Sequence, residues 1–151
     1  MRNRRGAFLA LSVALACAVP GARAAEAGED VSVTVTGLRN ARGKVMACLT
    51  ALPRAFPDCR KDPAARTLGV AAAKGTVTLD FGPVPAGIYA ISLFHDENGN
   101  DKLDKAVLIP KEGFGFSRDA KVVMGPPRFS AAAFAVAGAP VRQVLRMRYM
   151  L

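Results

Sequence analysis

Tryptophan is absent from the 151 residues, histidine occurs once, cysteine three times, and aromatics make up only 7%. Each scarcity closes off a class of function. Tryptophan is missing and the strands lack a lipid-facing apolar band with aromatic girdles, which weighs against a transmembrane barrel. The single histidine, His95, is remote in sequence from Cys48 and Cys59, and no further cysteine stands near them to complete a zinc set. Also missing are a G-x-S-x-G elbow, a zinc-helix motif, a phosphate loop and a dinucleotide fingerprint. No segment carries a long helical period, and neither an internal repeat nor a low-complexity tract occurs. Lysine and arginine are scattered, with no aromatic-and-basic stripe for nucleic acid.

Apolar residues make up 51% of the chain, enough for one packed domain. Part of that share is N-terminal. Arg2, Arg4 and Arg5 precede an uncharged apolar run from Ala7 to Val19. Pro20 and Gly21 break the run, and Ala22-Arg23-Ala24 supplies an A-x-A site. This order predicts a secretory signal peptide over residues 1–24, cut before Ala25. The run falls short of the roughly 20 residues that cross a bilayer, which weighs against a membrane anchor. A second processing reading uses Ala14-Leu15-Ala16-Cys17, a loose lipoprotein box that would lipidate Cys17. Cleavage after Ala24 removes four arginines and takes the formal net charge from +9 to +5. The expected location is the periplasm or the medium.

Cys48 and Cys59 remain after cleavage. An even number in an oxidising compartment reads as a disulfide. The alternatives are two buried thiols or half of a metal site.

Residues 25–30 read as a flexible lead-in, and 31–151 as a single domain. Val31, Val33 and Val35 alternate with Ser32, Thr34 and Thr36, the pattern of a half-buried strand. Val77, Leu79 and Phe81 repeat it. Lys44 to Thr50 and Ile88 to His95 read as strands apolar on both faces, and the second as a central strand. A short strand is expected near Leu68 to Ala72, and two more over Phe129 to Val136 and Val141 to Met150. In the last, Leu145, Met147 and Tyr149 face in while Arg146 and Arg148 face water. About seven short strands with turns between them predict an all-β, antiparallel, immunoglobulin-like or transthyretin-like sandwich.

More than thirty residues separate His95 from Phe129, and connections of that length are often functional. Val107-Leu108-Ile109, Phe114 and Phe116 are too apolar for a solvated loop and are expected to pack back on the sandwich. The segment opens with oxygen side chains at Asp96, Asn98, Asn100 and Asp104. Calcium takes six to eight oxygens, and alternate positions of a tight loop can supply them. These four are the candidate calcium ligands. Two departures from an EF-hand count against it: Asp101 stands where glycine is preferred, and Val107 where a bidentate glutamate belongs. The competing reading is a turn rich in Asp and Asn that bond their own backbone. His95 with Asp96 and Glu112 forms the alternative, a hydrolase. The leading expectation is a non-catalytic binding module that meets an envelope or extracellular partner through residues 96–129.

Several strings carry a resemblance. They are Pro85-Ala86-Gly87-Ile88-Tyr89, His95-Asp96-Glu97-Asn98-Gly99-Asn100, Leu103-Asp104, Ile109-Pro110-Lys111-Glu112-Gly113-Phe114-Gly115-Phe116-Ser117 and Pro126-Pro127-Arg128-Phe129. In this order they resemble a bacterial family of exported proteins known as domain of unknown function 2141. The likeness covers Val31 to Tyr149. It implies a sandwich similar in outline to the transthyretin-like and collagen-adhesin-B-like folds, and no enzymatic activity carries over from it.

Overall fold

A computed structural model describes residues 28–151. The expected signal peptide and Cys17 lie outside the described residues. Ten strands follow in order: β1 (Glu29–Leu38), β2 (Lys44–Thr50), β3 (Arg66–Ala71), β4 (Gly75–Val84), β5 (Gly87–Asp96), β6 (Lys105–Ala106), β7 (Ile109–Pro110), β8 (Gly113–Phe116), β9 (Phe134–Val136) and β10 (Val141–Arg146). One helical turn, α1 (Phe129–Ala132), and a 3-10 turn over Ser117–Asp119 complete the set. Strand 1 begins at Glu29, two residues inside the expected lead-in. Glu29 and Asp30 pair with Val84 and Pro83.

Two sheets form the sandwich. One has the order β10-β1-β4; the other runs β3-β2-β5-β8, with β9 also paired to β5. Most pairings are antiparallel, as expected. The exception is β1 with β10, which run parallel. The chain leaves β9 in the second sheet and crosses to the first, so β10 arrives at β1 in the same direction.

The alternation along β1 explains the core. Val31, Val33, Val35 and Leu38 face inward, joined by Leu79 and Phe81 of β4 and Leu145 of β10. Val45, Ala47 and Leu49 of β2 meet them with Ile91 and Leu93 of β5. Burying each of the larger side chains among these stabilises the fold by roughly 1.5–3 kcal/mol, less the cost of ordering it.

The outer face of β2 and β5 is covered too, which accounts for their apolar character on both sides. Phe114 and Phe116 form a second cluster there with Ala90, Ala120 and Ala132, against which Phe56, Val122 and Phe129 pack. Phe56 meets Phe116 and Phe129 edge-on, at centroid distances of 5.7 and 6.0 Å. The segment carrying Phe56 is held down by the Cys48–Cys59 disulfide, whose Cα atoms lie 6.4 Å apart. The Ser92 hydroxyl bonds the Pro57 carbonyl beside it.

Two expectations are corrected. Phe129 to Ala132 is a helical turn rather than a strand. The turn puts the Phe129 ring against Phe56, and the Ala132 carbonyl accepts the Ser117 hydroxyl at 2.5 Å. Phe114 and Phe116 do pack back, but Val107 and Leu108 stay 95% and 85% exposed and Ile109 about half exposed. The short hairpin β6–β7 is pinched off at its base, where the Lys111 N–H donates to the Asp104 carbonyl at 2.9 Å. Its apolar side chains therefore stand clear of the body.

Candidate functional site

The segment after β5 is organised by two buried carboxylates. Asp96 is fully buried at the end of the strand. Its Oδ1 accepts the N–H groups of Gly99 (2.8 Å) and Asn100 (3.0 Å), and its Oδ2 accepts that of Asp101 (2.8 Å). Such a turn leaves several N–H groups pointing inward, and a carboxylate satisfies them better than a neutral acceptor. Glu112 closes the other side. Its Oε1 accepts Glu97 N–H at 2.9 Å and its Oε2 accepts Asp104 N–H at 3.0 Å. One acid before the loop and one after it hold residues 97–104.

The four predicted calcium ligands come together in this loop. Asn98 and Asn100 donate their side-chain amides to Asp104, at 2.7 and 3.1 Å. Their own carbonyl oxygens accept Asn100 N–H and Lys102 N–H. Asp101 adopts a left-handed conformation, φ +60°, at the position where a calcium loop prefers glycine. Its carboxylate pairs with the Lys44 ammonium at 2.6 Å. The hydrogen bond to Asp101, more than the nearby charges, raises the Lys44 pKa above its ordinary value, against a smaller burial effect. Among the described residues, no three His, Cys, Asp or Glu side chains gather as metal ligands.

His95 sits one residue before Asp96 and points to the opposite face, as adjacent strand residues must. It is fully buried. Nε2 lies 2.7 Å from the Arg42 carbonyl and must donate to it; Nδ1 lies 2.7 Å from the Tyr149 hydroxyl. Tyr149 in turn accepts the Arg39 N–H at 3.2 Å. His95, Asp96 and Glu112 thus have separate partners and do not converge. A general base needs a proton to take from a substrate within about 3 Å. The buried ring of His95 faces only the protein's own groups.

Adjoining this loop, without a signature in the sequence, is a network around Arg39. Its guanidinium lies 4.4 Å above the Tyr149 ring, pairs with Glu97 at 2.6 Å and donates to the Leu151 and Lys111 carbonyls at 2.6 and 3.1 Å. Asn40 donates to the other Glu97 oxygen at 2.8 Å. The net effect holds the Glu97 carboxyl below its ordinary range. Burial pushes it up, and the hydrogen bonds from Asn40 and Arg39 with the Arg39 charge outweigh that. No local signal marks this cluster, because Arg39 and Tyr149 are joined only by the sheet topology.

Elsewhere, Pro53, Phe56, Pro57, Pro126, Pro127 and Phe129 line a groove of about 450 Å³. Just before Pro126 in the chain, Val123 and Met124 stand in solvent.

No curated protein and no solved structure matches the chain. A family model does, over residues 33–143, and its description is an uncharacterized protein conserved in bacteria. The match spans both sheets, the carboxylate-clamped loop and the Glu112–Ser117 string, so the chain belongs to the DUF2141 family.

Proposed function

We propose that the protein is an exported, non-catalytic β-sandwich module that binds a partner outside the cytoplasm through the segment between Asp96 and Phe129. One observation carries this reading. The titratable groups of the segment that a hydrolase would need are consumed in holding the backbone, while its apolar residues Val107, Leu108, Val123 and Met124 are left in solvent. Exposed apolar tips with no role in the fold mark interaction surfaces. Export is supported by the order of charges, apolar run and A-x-A site at the N-terminus, and by the paired cysteines.

Calcium is the ion that the loop at residues 96–104 would take up. The side-chain oxygens of Asp104, Asn98 and Asn100 share one tight turn near solvent with Asp96 behind them, and the ion would displace the amide and N–H donors they now accept. They fall short of a full shell, so water completes the coordination, and affinity is expected at about 10⁻⁴–10⁻³ M, as in extracellular modules. Millimolar calcium should raise the melting temperature, and Asp104→Ala should abolish the rise. A melting curve indifferent to calcium, chelator and this variant removes the ion from the proposal.

The compartment is tested by mass spectrometry of protein from the envelope fraction. The mature chain should begin at Ala25 with Cys48 and Cys59 oxidised. Two free thiols, or a lipidated Cys17 at the N-terminus, would overturn the corresponding part.

A further inference from the structure

We infer that the loop between Ala120 and Phe129 docks the protein on an anionic lipid bilayer. This rests on the reading of the chain as a binding module and names the partner of that same segment. The loop is rooted at both ends, since Val122 and Phe129 pack into the second cluster against Phe56, Phe114 and Phe116. Between those roots Val123 is 84% exposed and Met124 fully exposed. Gly125, at φ +136°, and two prolines then return the chain to the groove. A convex tip carrying two consecutive apolar side chains suits insertion into an acyl boundary, which receives protruding groups rather than offering them.

Charge selects the kind of lipid. Residues 51–65 and 117–129, which flank the groove, carry six cations against three carboxylates. Asp58 is paired with Arg60 at 3.1 Å and Asp119 with Arg148 at 2.7 Å, and Asp62 accepts the Thr50 hydroxyl at 2.5 Å. The side chains of Arg54, Lys61, Lys121 and Arg128 make no hydrogen bond or ion pair among the described residues. Four uncommitted cationic side chains on the segments that flank the groove, two of them on the loop that carries the apolar tip, match a surface of anionic headgroups. The other apolar tip, Val107-Leu108, lies in a segment where the acids outnumber the lysines five to three over residues 96–112. It therefore serves as the control.

The test is co-sedimentation of protein from the envelope fraction with vesicles of phosphatidylcholine alone or with about one third phosphatidylglycerol, a mixture with a negative surface. Binding is expected only to the anionic vesicles and should fall at high salt. Met124→Asp should abolish it at an unchanged melting temperature. Arg54→Glu and Arg128→Glu should each weaken it at least about five-fold, and Leu108→Asp should leave it intact. Every variant keeps the same N-terminus, so residues 7–19 cannot mimic the result. Equal binding to neutral vesicles, indifference to Met124→Asp, or loss on Leu108→Asp overturns the inference. If vesicles are ignored while calcium still stabilises the loop, this inference falls and the module reading stands. Vesicle binding without the calcium response does the reverse for the ion.

Discussion

Gly43 shows most plainly what one residue decides. It sits at φ +64°, and a Cβ built on it would lie 1.9 Å from the Asp96 carbonyl oxygen. The obstacle is backbone at the base of the carboxylate-clamped loop, so no side chain can swing aside. Gly43→Ala should cost about 2–5 kcal/mol by combining left-handed strain with a clash, read as a lower urea midpoint. A midpoint within error of the parent would show that the two turns are not in contact. Tyr149→Phe is milder. It removes the hydroxyl shared by His95 and Arg39, and should cost about 1–2 kcal/mol while leaving the fold in place.

Glu97 ties part of the acid stability to one residue. Its folded pKa is lowered, so it binds a proton less readily folded than unfolded. It contributes stability that is present above the unfolded value of about 4.3 and lost as pH falls through the folded value. Urea midpoints should therefore drop between about pH 5 and the acid limit, and Glu97→Gln should flatten that drop. A variant with the parent's acid profile would place the sensitivity elsewhere.

At the scale of elements, β8 repays close reading. Gly113, Phe114, Gly115 and Phe116 alternate between two sides. The glycines face the end of the first sheet, where a Cβ on Gly113 would meet Tyr149 at 2.5 Å and Met147 at 2.7 Å, and one on Gly115 would meet Leu93 at 3.0 Å. The phenylalanines face out and build the second cluster. Glu112 before them clamps the loop, and the Ser117 hydroxyl after them accepts the Ile91 N–H at 2.9 Å. The whole Glu-Gly-Phe-Gly-Phe-Ser string is thus accounted for by packing. Phe116→Ala should cost about 3–5 kcal/mol, as a buried aromatic does, and Gly115→Val about 1–3 kcal/mol by overpacking. Calorimetry of both variants checks the assignment of faces. A tolerated valine would mean that β8 is rotated.

Across the whole molecule the disulfide and the two clusters act together. Cys48 and Cys59 are 11 residues apart, and closing that loop should contribute about 3 kcal/mol by restricting the unfolded chain. Reduction should lower the melting temperature without abolishing the fold, because the main core between the sheets does not involve the bridge. A reduced protein that unfolds outright would place more of the stability in the outer cluster.

Much of this architecture was legible in the sequence. Val31, Val33 and Val35, and again Val77, Leu79 and Phe81, announce half-buried strands because side chains alternate with a period of two. The doubly apolar β2 and β5 announce cover on both faces. The string of motifs announced the family. The candidate loop was visible as a run of Asp and Asn after a strand.

Periodicity cannot say what lies against a face, and there the tertiary structure decided. It made Asp96 and Glu112 a pair of clamps, from opposite ends of one loop, by satisfying inward N–H groups. It buried His95 against Tyr149 and Arg42, which only the sheet order brings together. It turned Phe129–Ala132 into a helical turn to fill space beside Phe56. Most of all it separated apolar residues by destination: Phe114 and Phe116 into a core, Val107, Leu108, Val123 and Met124 into solvent. Hydrophobicity, read along the chain, marks all six alike; which of them finds a neighbour depends on contacts between distant segments.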